Sequence, residues 1–86
     1  MGAIRDRMLA EMELRGLSET TKKSYLVCCR VFVAHFMKSP EQLGAREIND
    51  FLLHLIRDRG ASPSTMGVYV AAIRFLFRWA LRNRDV

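Results

Sequence analysis

Residues 15 to 30, RGLSETTKKSYLVCCR, are written a second time 44 positions on, at 59 to 74, as RGASPSTMGVYVAAIR. Arg15, Gly16, Ser18, Thr21, Tyr25 and Arg30 return as Arg59, Gly60, Ser62, Thr65, Tyr69 and Arg74. The order of these residues limits what the chain can fold into. A glycine suits the left-handed position that ends one helix, and a serine two residues later suits the N-cap of the next, helped in the second copy by Pro63 at the first helical position. Each copy therefore spells helix, short turn, helix. Hydrophobic periodicity of the helical kind predicts helix one over Ala3 to Leu14, helix two over Ser18 to Met37, helix three over Ala45 to Asp58 and helix four over Ser62 to Arg82. No segment alternates as a strand does, and SPEQLG at 39 to 44 reads as the longer joint between two helical hairpins. The fold class is all-α, with four main helices.

A chain of 86 residues buries only about 60% of its unfolded surface, which favours one domain over 1 to 86 without a deep enzyme cleft. Half of the residues are hydrophobic, among them five Phe, two Tyr and one Trp, enough for a packed core. No apolar run approaches the ~20 residues that cross a bilayer, so no membrane partner is expected. The opening MGAIRD has Asp6 where an acylation signal wants Ser or Thr, and it lacks the apolar core of a signal peptide, which points to a cytoplasmic protein. Cys28 and Cys29 are neighbours on a predicted helix, diverge by about 100° and act as small hydrophobes rather than a disulfide. Joined with His35 and His54 they show none of the short spacings of a zinc site, so neither metal nor cofactor is expected.

At 100° per residue, Thr21, Tyr25, Cys28, Phe32 and Phe36 share one face of helix two, and Lys23, Arg30 and Ala34 lie opposite. Helix four repeats this: Thr65, Tyr69, Ala72, Ile73, Leu76 and Ala80 face inward, and Gly67, Ala71, Arg74 and Arg78 form an outer stripe. The repeated Thr and Tyr are thus expected to specify packing, and the repeated Arg to point outward. An outward Arg is by itself only a solvated residue; the partition of charge says more. Residues 20 to 40 carry Lys22, Lys23, Arg30 and Lys38 and no acid, and residues 60 to 84 carry Arg74, Arg78, Arg82 and Arg84 and no acid. The intervening stretches, 1 to 14 and 41 to 59, each sum to −1, within a net charge of +5. Helices two and four are therefore the ones expected to face a nucleic-acid backbone. Eleven of the 14 basic residues are Arg, whose fork matches phosphate oxygens and the guanine edge. Gly67 and Ala71 let a helix backbone approach a groove wall. Ser62 and Ser64 lie at a helix N-terminus, where amides favour a phosphate.

The same residues resemble a known family. The order GLS-x-x-T-x-x-x-Y, Phe32 and Phe36 four apart, the series Leu43, Ile48, Phe51, Leu52 and Leu55, then S-x-S-T-x-x-x-Y-x-x-A-I-R-F-L-F-x-W, is similar to the N-terminal core-binding, SAM-like domain of tyrosine recombinases, the phage-type integrases. The resemblance runs from about Met8 to Arg82, with departures at Gly44, where a Thr or Ser cap is usual, and at Gly67. It implies two crossed helical hairpins forming one jaw of a clamp on duplex DNA at a recombination half-site, with helices two and four toward the major groove. It also implies that catalysis belongs to a following domain, which would begin where this chain ends and is absent from it. Partners would be double-stranded DNA and, on the DNA, other recombinase protomers.

The expected contacts are Lys22, Lys23, Arg30, Ser64, Gly67, Arg74 and Arg78, with Arg74 able to read a base edge and the other cations holding phosphates. His54-Leu55-Ile56-Arg57 matches the His-x-x-Arg spelling of the family's catalytic motif but falls inside helix three, and Tyr25 and Tyr69 lie on predicted core faces, so no catalytic residue is expected. The alternative reading is a helical protein-interaction module whose patch would be Leu26, Val33, Val70 and Phe77. A stand-alone enzyme ranks last, because no nucleophile and base stand at a plausible spacing.

Overall fold

The computed structural model describes residues 2–82; Arg84, counted above in the second basic segment, lies outside them. Four α-helices follow in order: α1 (Gly2–Leu14), α2 (Glu19–Phe36), α3 (Ala45–Arg57) and α4 (Pro63–Phe75). One 3₁₀ turn, Pro40–Gln42, sits in the joint between the hairpins, and α4 runs on into a π-helical turn, Leu76–Ala80. Among the described residues there is no strand.

The repeat works as punctuation. Gly16 and Gly60 hold φ of 68° and 59°, the left-handed region that a side chain resists. After α1, the amide of Gly16 donates to Glu13 O at 3.0 Å and that of Leu17 to Met12 O at 3.1 Å, the paired bonds of a Schellman ending. After α3, the amide of Ala61 reaches back to Leu55 O at 3.0 Å. Ser18 and Ser62 then accept, each at 3.2 Å, from the amides of Thr21 and Thr65. Their own hydroxyls donate to the threonine Oγ1 atoms at 3.0 and 3.1 Å.

The repeated threonine was expected on the inner face, and the structure corrects this. Thr65 is exposed and Thr21 half-buried, because the third residue of each helix lies in a first turn that projects beyond the core and is engaged by the cap. The repeated tyrosines do pack: Tyr25 lies against Phe75, ring centroids 6.0 Å apart, and Tyr69 against Phe51 at 5.7 Å. At the start of α3, Gly44 has no side chain to cap with. Glu47 Oε1 instead accepts from the Gly44 amide at 3.0 Å, which supplies the half of a capping box that glycine permits.

Phe32 of α2 stands at the centre, edge-on to Phe36, Phe51 and Phe77 at 5.5, 5.2 and 6.2 Å. Cys29 is fully buried where α2 meets α4, and its thiol donates to Ala72 O at 3.4 Å. Two small residues here let the helix backbones come close. Burial pushes the Cys29 thiol up to about 12 and raises that of Cys28. Both cysteines are unbridged core groups, as expected.

The C-terminal segment departs from the expected continuous helix. Past Phe75 the bonding widens, and the Leu81 amide donates to Leu76 O at 2.9 Å, five residues back. Met8 and Met12 of α1 are fully buried and α1 packs on this turn, so Leu76, Phe77 and Ala80 are all enclosed. Arg7 Nη1 donates to Ala80 O at 3.0 Å, giving a partner to a carbonyl at the helix end. Arg15, paired with Glu11, lays its guanidinium over the Trp79 ring at 3.5 Å. The apolar patch of the alternative reading therefore does not exist as expected. Phe77 is 1% exposed, Leu26 and Val33 are half-buried against the core, and Val70 is half-buried.

Candidate nucleic-acid interface

The cations of α2 are not equivalent. Lys22 Nζ donates to Glu19 Oε1 at 2.8 Å, and its side chain is only 13% exposed. That hydrogen bond is the largest influence on both groups: it holds the Glu19 carboxyl below the usual range and the Lys22 ammonium above it. Lys23 and Arg30 are exposed on the outer face, with Val27 between them at 47% exposure.

On α4 the expected stripe is open. Ser64, Gly67, Arg74 and Arg78 are all exposed, and Ala71 is half-buried. A Cβ built on Gly67 would meet no other atom of the chain within 4 Å, so no packing contact within the described residues requires a glycine there. Among the described residues neither Arg74 nor Arg78 forms an ion pair. Arg78 leans over the neighbouring Trp79 ring at 5.1 Å.

A groove runs along each side of α4. Toward α3, Arg74 shares a groove of about 190 Å³ with Asn49, Ala45, Ile48 and Val70. Toward α2, a wider one of about 390 Å³ has Lys23, Ser24 and Thr65 beside Val27 and Val68. Lys23 and Val27 of α2 thus face Thr65 and Val68 of α4 across one groove. Helical spacing alone puts Val27 on the face of Lys23 and Arg30, but it does not single out Val68 and Asn49. Their importance comes from which helix lies next to α4, and spacing along one helix does not encode that.

The residues with catalytic spelling are placed otherwise. His54 Nδ1 is 2.8 Å from Asp58 Oδ2, its ring lies 4.6 Å from that of His35, and Arg57 is exposed on the same helix. Burial raises the Tyr69 phenol, the opposite of the shift that activates a nucleophile. No three His, Cys, Asp or Glu side chains are grouped for a metal among the described residues. No described helix is long and apolar enough to cross a membrane.

Residues 4–84 match the family model of the phage integrase N-terminal SAM-like domain. Over 83 residues the chain is 34% identical to a protein of Sinorhizobium fredii (strain NBRC 101917 / NGR234) named provisionally as integrase/recombinase y4qK. That alignment covers 96% of this chain and 27% of the relative, so the chain spans about a quarter of the relative's length. No solved structure matches. An all-helical chain with twice-written capped hairpins, matched over nearly its whole length, belongs to the phage integrase N-terminal SAM-like domain family.

Proposed function

We propose that this domain binds duplex DNA for a site-specific recombinase, as one jaw of a clamp at a recombination half-site with α2 and α4 toward the major groove. Other protomers of the recombinase are its partners on the DNA, and the bond-breaking chemistry belongs to another domain of the full protein. The observation that carries the reading is the open face of α4, where Arg74 and Arg78 stand exposed and unpaired among the described residues, within a segment from 60 to 82 that has no acid. Such a face neutralises phosphates without an internal competitor.

Within this reading Arg74 reaches a base edge, its guanidinium beside Asn49 in the groove toward α3. Lys23, Arg30 and Arg78 hold phosphates, and the Ser64 hydroxyl adds a neutral donor near the start of α4. Gly67 lets the helix backbone come close. Lys22 takes the smaller part, because Glu19 must release it first.

Three alanine variants, titrated against a labelled duplex and checked by thermal melts, test the assignment. Arg74→Ala is expected to weaken binding by about 1 to 3 kcal/mol, and Arg30→Ala by less, lowering the salt slope by about 1. Arg5→Ala, on the mixed-charge α1, should leave binding as it is. If all three fold and bind alike, the basic faces are solvated surface and the reading fails.

A further inference from the structure

We propose that Val27 and Val68, on facing sides of the groove between α2 and α4, read the C5-methyl groups of thymines. The inference rests on the duplex-DNA reading above and adds to it a base preference and the two side chains that carry it. Both valines are open to solvent, at 47% and 40%, although the residues deeper in the same groove are closed over: Cys28 is 7% exposed and Tyr69 half-buried. The rim is polar, formed by Lys23, Ser24 and Thr65. Segments 20 to 40 and 60 to 82, which supply every wall of the groove, contain no acid.

A partner that fits must be anionic outside and carry something apolar at the point of contact. Two valines are far too small a patch for a protein, which needs about 800 Å² on each side. On the major-groove edges of a duplex the apolar group is the thymine methyl, and contact with an apolar side chain is how it is read. Access is open as well. Gly67, beside Val68, has nothing within 4 Å of where its Cβ would stand, so that face of α4 is low.

The test removes the methyl groups from the DNA and leaves its hydrogen-bonding edges in place. Wild-type domain is titrated against an alternating dA-dT duplex and the same duplex with deoxyuridine for every thymidine. Binding to the thymine duplex is expected to be tighter by about fourfold for each methyl buried. In Val27→Ser/Val68→Ser, which leaves no methyl group at either exposed position, the difference should vanish while affinity for the uracil duplex and the salt slope stay close to wild type. Should that variant melt early, Val68→Ser alone carries the comparison, with a reduced difference expected. Equal wild-type affinity for the two duplexes overturns the inference while leaving the DNA reading standing, and so does a difference undiminished in the folded variants. Failure to bind either duplex overturns both.

Discussion

Gly67 is the residue at which stability and function should part. A glycine inside a helix costs roughly 0.5 to 1 kcal/mol relative to alanine, and no neighbouring atom in the described chain requires it. Gly67→Ala should therefore raise stability by about that amount in a denaturant melt while weakening duplex binding, since the added methyl stands where the DNA approaches. A variant that is more stable and binds as well as wild type would leave the glycine without a role. Cys29 gives a second residue-scale test. Its thiol, held up to about 12 against an unfolded value near 9.0, supports the fold fully below pH 9 and loses that support as pH rises toward 12. Lys22 and Tyr69 are also shifted upward, so their contributions fall in the same direction. The melting temperature should drop between pH 9 and 11, less steeply in Cys29→Ser, which keeps a donor for Ala72 O but does not ionise in that range.

Between neighbouring helices, the two caps are the repeated device, and they invite a matched pair of mutations. Ser18→Ala and Ser62→Ala each remove one acceptor for a first-turn amide and should each cost about 1 kcal/mol, measured by denaturant unfolding. The sites belong to different helices, so the double variant should lose close to the sum. Punctuation of this kind is local chemistry, and for that reason the four helices, the Ser18 and Ser62 caps and both glycine turns are legible in the amino-acid order. The misread parts depend on contacts between helices. Thr65 has core spacing yet serves the cap, and Phe77 reads as surface until α1 covers it with Met8 and Met12. The Arg7 bond to Ala80 O belongs to the same docking of α1 on the π-helical turn. Of the expected interface, Lys23, Arg30, Ser64, Gly67, Arg74 and Arg78 lie exposed as outward-facing residues should. The Glu19 partner of Lys22 stands three residues away in the sequence, a spacing at which helical neighbours pair.

For the molecule as a whole, the basic segments meet across the groove between α2 and α4, while Arg7 of α1 and Arg15 just after it are engaged with the C-terminal turn. Arg7, Arg15 and Lys22 are thus engaged within the fold, whereas Lys23, Arg30, Arg74 and Arg78 stand open on α2, on α4 and on the turn that continues α4. That division sets the size of the electrostatic response expected of the proposed interface. With Lys23, Arg30 and Arg78 on phosphates and each neutralised phosphate giving a slope of about −0.9, log affinity against log salt should fall with a slope of about −3. The decisive measurement is the affinity of the purified domain for a labelled duplex between 50 and 200 mM salt, concentrations over which counterion release is large. Tight binding at low salt that declines linearly on the logarithmic scale with a slope of about −3 is the result expected. Absence of binding at low salt, or an affinity indifferent to salt, would contradict the central claim that the open faces of α2 and α4 hold DNA.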